Sequence, residues 1–301
     1  MFKLNWKRLG IAAGLSLSLV AAGCGSDDGS SSDEGSSDGN SSEASKEIEL
    51  SYVEWDTEVA STNVIAKVLE DQGFDVKVTP LDNAVMWESV ASGETDGMVA
   101  AWLPGTHGDL YEQYKGDLED LGTNLEGAAI GLVVPEYMDV NSIEDLDSQA
   151  DKTITGIEPG AGVVKAAEQA VEDYDNLDGW TVKTSSSGAM ATALGQAIEN
   201  EEPIVVTGWS PHWKFQKYDL KYLEDPKGSF GEAEEIKTMV RKGFKEDMPK
   251  AYKILDQFHW EPADIESVML DINNGTDPEE AAAAWVEDNQ DKVAEWTKGA
   301  E

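Results

Sequence analysis

The chain has 301 residues and a formal net charge of −38, from 60 Asp plus Glu against 22 Lys plus Arg. So acidic a protein does not bind nucleic acid, because phosphate binding draws its free energy from counterions released by Lys and Arg. One cysteine, Cys24, and three histidines exclude a disulfide framework and leave little for a metal site, whereas ten tryptophans against six phenylalanines is unusual.

At the amino terminus, Lys3, Lys7 and Arg8 precede an apolar run over 9–22. Fourteen residues are too few to span a bilayer as a mature helix and fit the core of a signal peptide. Val20-Ala21-Ala22-Gly23-Cys24 then resembles a bacterial lipobox, with Ala21 where Leu is usual. Residues 1–23 are therefore expected to be a lipoprotein signal peptide whose removal exposes Cys24 for lipid attachment. The stretch over 24–47 is almost wholly Ser, Gly, Asp, Glu and Asn. Such a segment buries nothing and repels itself, so a disordered acidic linker is expected there. The acidic excess continues through the rest of the chain, and hydrated carboxylates suit a saline or alkaline exterior.

The body repeats itself. A strand over 49–53 leads to Trp55-Asp56-Thr57-Glu58 and a helix over 62–71. A strand over 75–79, a helix over 86–92 and a strand over 97–101 follow, ending in Trp102-Leu103-Pro104. The same order then returns: a strand over 153–157, the turn Glu158-Pro159-Gly160-Ala161-Gly162 and a helix over 163–173. A strand over 180–184, a helix over 189–199 and a strand over 204–207 lead to Trp209-Ser210-Pro211. The helix starts match as well, Asn83-Ala84-Val85-Met86 against Ser187-Gly188-Ala189-Met190. Alternating strands and helices predict α/β architecture with parallel sheets, and two copies predict two lobes. Helices over 249–258, 263–273 and 278–297 are expected to return and buttress the first lobe. Crossings over 130–134 and 236–240 make lobe 1 residues 48–134 and 241–301, and lobe 2 residues 135–240. A ligand cleft lies between such lobes.

No nucleophile elbow, phosphate loop or zinc-protease motif is present, and Asp56, Glu58 and Glu158 have no visible acid–base partner. No catalytic residue and no cofactor is implied. Instead Trp55, Trp102 and Trp209 fall at matching ends of predicted strands, where parallel sheets present residues to a crevice. Trp87, Trp180, Trp213, Trp260, Trp285 and Trp296 read as packing, and His212 as structural. Indole faces suit a quaternary ammonium, which has no N–H to donate and spreads its charge over methyl groups. Backbone amides at the start of the second-lobe helix suit a carboxylate. Cage and amides together describe a small zwitterion. Ten of the 22 basic residues lie over 214–253, where they offset local acids.

Four motifs carry a family resemblance: Tyr52-Val53-Glu54-Trp55-Asp56, Ala101-Trp102-Leu103-Pro104-Gly105-Thr106-His107, Gly156-Ile157-Glu158-Pro159-Gly160 and Gly208-Trp209-Ser210-Pro211-His212-Trp213. Over roughly 47–299 the chain resembles the glycine betaine-binding lipoproteins of ABC importers, the OpuA type of Gram-positive bacteria in particular. The resemblance implies a periplasmic-binding-protein-like fold of type II that closes around betaine. It also implies that Trp55, Trp102 and Trp209 cage the ammonium while His107 and the amides of Gly156 and Ile157 hold the carboxylate. The implied partners are a membrane permease and an ATPase. The protein itself would be a monomer on the outer face of the membrane, touching it only through the lipid on Cys24. Proline betaine, carnitine, choline and, more remotely, a sugar are the other ligands to weigh. Choline, lacking a carboxylate, would leave the Gly156 and His107 contacts unused.

Overall fold

The computed structural model describes residues 46–300; Cys24, the leader and the linker up to residue 45 lie outside the described residues. The first unit runs β1 (Glu47–Tyr52), α1 (Asp56–Asp71), β2 (Asp75–Pro80), α2 (Asn83–Ser92), β3 (Gly97–Leu103), α3 (Gly108–Tyr114) and β4 (Leu118–Pro135). The second runs β5 (Thr153–Thr155), α4 (Gly162–Asp173), β6 (Thr181–Lys183), α5 (Ser187–Glu199), β7 (Val205–Ser210), α6 (Lys214–Lys217), β8 (Leu220–Tyr222) and β9 (Glu234–Arg241). The chain ends with α7 (Phe244–Asp247), α8 (Pro249–Gln257), α9 (Pro262–Asn273), α10 (Pro278–Asp288) and α11 (Gln290–Trp296). None of these helices is long and apolar enough to cross a membrane.

The strands pair in the order β2-β1-β3-β9-β4-β7-β5-β6, with β8 on the other edge of β4. β1, β2 and β3 are parallel and β9 joins them antiparallel; β5, β6 and β7 are parallel and β4 joins them antiparallel. The repeat read from the sequence is thus a repeat of sheet topology, and the fold is the expected two-lobed α/β arrangement of type II. α1 begins a turn and a half before residue 62, directly after Trp55, with Asp56 and Glu58 in the first turn where the helix dipole favours acids.

The crossings differ from the expected ones. β4 is one 18-residue strand that pairs with β9 from Leu118 to Ala128 and with β7 from Ala129 to Val133. The first change of sheet therefore falls at Ala128/Ala129, next to Gly127, whose φ of 76° few other residues adopt. The second falls between β8 and β9. The run over 236–240 lies wholly inside the first sheet, between β3 and β4, where Ile236, Met239 and Val240 are buried in the core.

As expected, α8, α9 and α10 pack on α1. Phe258, Trp260, Trp285 and Trp296 form one aromatic cluster, with Trp285 and Trp296 stacked at 5.6 Å. The single helix expected over 278–297 breaks at Asn289, whose side chain donates to the Trp285 carbonyl and competes with helix bonding.

Candidate functional site

Trp102 and Trp209 are each the penultimate residue of a strand, β3 and β7, and each strand ends against a cis proline, Pro104 or Pro211. Trp55 caps the amino end of α1, its carbonyl accepting from the N–H groups of Glu58 and Val59. The three indoles are 7, 4 and 4% exposed for Trp55, Trp102 and Trp209. They converge on one cavity, completed by Thr57, Thr106, Ile130, Ile157, Ala161, Gly162 and Val163. The wall is drawn from both lobes. At Gly162 the approach is so close that a Cβ would sit 2.5 Å from both the carbonyl oxygen and the methyl carbon of Thr106 in the opposite lobe. Only glycine fits there.

The residues expected to meet a carboxylate are placed less uniformly. Ile157 lines the cavity, and its N–H has no backbone acceptor among the described residues. Gly156 is outside the lining, and its N–H donates to the Lys183 carbonyl at 2.9 Å. Neither is at the start of α4, which begins at Gly162; the helix-start residues in the wall are Ala161, Gly162 and Val163. His107 is 1% exposed and also outside the lining, stacked on Trp55 at 6.1 Å and edge-on to Trp87 at 5.7 Å. Its Nδ1 accepts from the Trp102 N–H at 3.1 Å, which puts the proton of the neutral ring on Nε2, and Nε2 has no partner. Burial and the Lys165 charge push this imidazole down to about 3, so it stays neutral.

A clasp spans the cleft beside the cage, built from residues far apart in the chain. The Trp213 indole N–H donates to Asp56 Oδ1 at 2.7 Å, the Ser187 hydroxyl donates to Oδ2 at 3.0 Å, and His212 Nε2 lies 3.4 Å from Oδ2. Trp213 is therefore not merely packing, and His212 faces the opposite lobe. Burial alone would raise the Asp56 carboxyl, but His212 and the two donors outweigh it and hold Asp56 well below the usual carboxylate range. Glu158 forms the second half of the clasp. One of its oxygens accepts from the Trp55 indole N–H at 2.9 Å and the other from the Ser187 N–H at 3.1 Å. Within the first lobe, Glu234 accepts from the N–H groups of Gly105 and Thr106 at 2.7 and 2.6 Å and from the Thr106 hydroxyl, fixing the loop after Trp102.

Two titratable groups are buried against the cage. Glu58 takes the Val53 N–H on Oε2, leaves Oε1 unpartnered, and shares a second small cavity with Trp102. Desolvation pushes its carboxyl up to about 8. Lys214 is completely buried rather than offsetting surface acids, and its amine has no hydrogen-bond partner. The amine lies 4.2 Å from the centre of the Trp209 ring, and desolvation pushes it down to about 7 against the attraction of Asp56.

Comparison with known proteins shows the family. The lactococcal OpuAC structure, in its closed-liganded conformation with glycine betaine, is 57% identical, with a TM-score of 0.82 covering 84% of this chain and 99% of that one. An ABC-transporter choline-binding protein in complex with choline is 28% identical, with a TM-score of 0.77 covering 84% and 92%. The glycine betaine/carnitine transport binding protein GbuC of Listeria monocytogenes is 50% identical over 175 residues, 58% of this chain and 57% of that relative's length. Residues 46–288 match the model described as the substrate-binding domain of the ABC-type glycine betaine transport system, and the chain belongs to that family.

Proposed function

We propose that this protein is the extracytoplasmic receptor of an ABC importer and that it captures glycine betaine between its lobes. The observation that carries this reading is the convergence of Trp55, Trp102 and Trp209, from both lobes, on one buried and largely apolar cavity. Each indole face offers a cation ~0.5–2 kcal/mol once both are desolvated. The carboxylate goes to donors that otherwise lack acceptors, the Ile157 N–H and the His107 Nε2–H. Gly156 adds its N–H only when the bond to Lys183 opens. Leaving such donors buried and unpaired is costly, which favours betaines over choline.

Closure follows from the same arrangement. Opening the cleft breaks the Asp56 bonds and the Trp55–Glu158 bond and separates the cage walls, so only the closed form offers every contact and the ligand selects it. A permease and an ATPase then receive the loaded, closed receptor, which a lipid on Cys24 tethers as a monomer to the outer face of the membrane. The chemistry is binding and transfer, not catalysis.

Calorimetric titration with glycine betaine, choline and maltose tests the ligand. Saturable binding of betaine, weaker binding of choline and none of maltose is the expected result, with compaction in solution scattering on adding betaine. Equal affinity for choline would remove the carboxylate site from the reading, and absence of betaine binding would remove the function.

A further inference from the structure

Lys214 is out of place for a lysine. It follows the Trp209 motif at the start of α6, yet its side chain turns inward and is fully buried, with no carboxylate or carbonyl on its amine. What it meets is the ring of Trp209, at 4.2 Å, and that of Phe215, at 5.5 Å. A side chain on Gly208 would crowd the packing there, its Cβ falling 3.5 Å from Lys214 Cε and 2.4 Å from Val133. Lys214 is not among the residues lining the cavity, whereas Trp209 is. One face of the indole is thus taken by an amine and the other is left for the ligand. The charged and titratable groups set around that amine are Asp56 on α1 and His212 before α6.

We propose that Lys214 sets the affinity of the cage through the back of Trp209: a proton on its amine and the ammonium of the ligand compete for the same π system. A cation on one face draws ring density toward itself, and two cations flanking one ring also repel each other through a medium of low dielectric. The neutral amine does neither. Binding of the ligand therefore expels the proton from Lys214 to solvent, and raising the proton concentration weakens binding. This inference rests on the reading that the cavity takes a quaternary ammonium. It adds a residue that never touches the ligand yet makes the receptor tighten as its surroundings become more alkaline.

Calorimetry of glycine betaine binding at several pH values, each in two buffers of different ionisation enthalpy, counts the protons exchanged. The wild-type protein is expected to release a fraction of a proton near pH 7 and to bind about five- to tenfold more tightly at pH 8.5 than at pH 6. Lys214→Met, of similar length and apolar, made in a Glu58→Gln background, is expected to release none and to bind equally at both. His212 and His107, held down to about 4 and 3, stay neutral throughout this range. Glu58, pushed up to about 8, does not, so Glu58→Gln is the second variant; proton release must persist in it. Betaine binding by the wild-type protein without proton release overturns this proposal alone, whether or not the Met variant folds. Release that survives in Lys214→Met on the Glu58→Gln background overturns it too. No betaine binding at any pH overturns the quaternary-ammonium reading and this proposal with it.

Discussion

Trp102 and Trp209 occupy the same place in the two lobes, second from the end of β3 and of β7 and two residues before a cis proline. Their surroundings are not the same. Behind Trp102 lies Glu58, whose carboxyl is kept protonated by burial; behind Trp209 lies Lys214, poised to lose its proton. The histidines that follow also diverge. His107 bonds back to the Trp102 N–H, while His212 meets Trp209 edge-on at 4.6 Å and turns its other nitrogen to Asp56. A duplicated backbone thus presents the same indole twice, and the side chains packed behind it decide the field in which that indole works. Trp55, the third wall, has no counterpart in this pairing and carries a carboxylate at its edge instead.

The comparison breaks most easily at the indoles themselves. Trp102→Ala and Trp209→Ala should each weaken betaine binding by ~100-fold or more in calorimetry, since truncation removes cation–π and apolar contact together. A tolerated substitution at either would show that the two corners are not equivalent walls.

Next comes Glu58→Gln, read in thermal unfolding. The folded carboxyl titrates near 8 and the unfolded one near 4.5, so the folded state holds the extra proton in between. Stability is then lost as pH rises through that window, by on the order of 5 kcal/mol, and the loss is complete above pH 8. The Gln variant should show no such decline; a parallel decline would place Glu58 in a more polar setting than its burial implies.

Asp56→Asn keeps the shape of the clasp but weakens its acceptor for the Trp213 and Ser187 donors. Betaine affinity should fall roughly tenfold, with a more open ligand-free form in scattering. Because Asp56 is held below the usual range, the wild-type clasp persists in mild acid and gives way only as pH falls through that lowered value. The smallest effect expected is that of Glu158→Gln, about three- to fivefold, since the Trp55 indole keeps an acceptor but not an anion.

Much of this was legible from the chain. The repeat, its strands and helices, and the three tryptophan corners stood out because parallel strands are short apolar runs that alternate with amphipathic helices. β4 did not. Its first half, Leu-Glu-Asp-Leu-Gly-Thr-Asn-Leu-Glu, alternates poorly because the ladder with β9 shifts register three times between Asp120 and Ala128. The run over 236–240 suggested a crossing only because a buried central strand and a buried connection look alike in sequence. The clasp was hidden by distance along the chain: Asp56 meets partners 131 and 157 residues away, and Trp55 one 103 residues away. Lys214 was counted with surface bases because an unpaired buried amine is rare.

The way β4 changes sheets bears on how such a receptor is read by its transporter. The strand leaves one ladder at Ala128 and enters the next at Ala129 without a loop between them. A loop would let the lobes swing about many axes, whereas a ladder held on both sides of one peptide bends and twists about few. Each closure then ends in the same mutual placement of the lobes. On the proposed function, a permease would meet a surface that is either assembled or not. The solute concentration would be conveyed by how often that surface appears, not by how far it has formed.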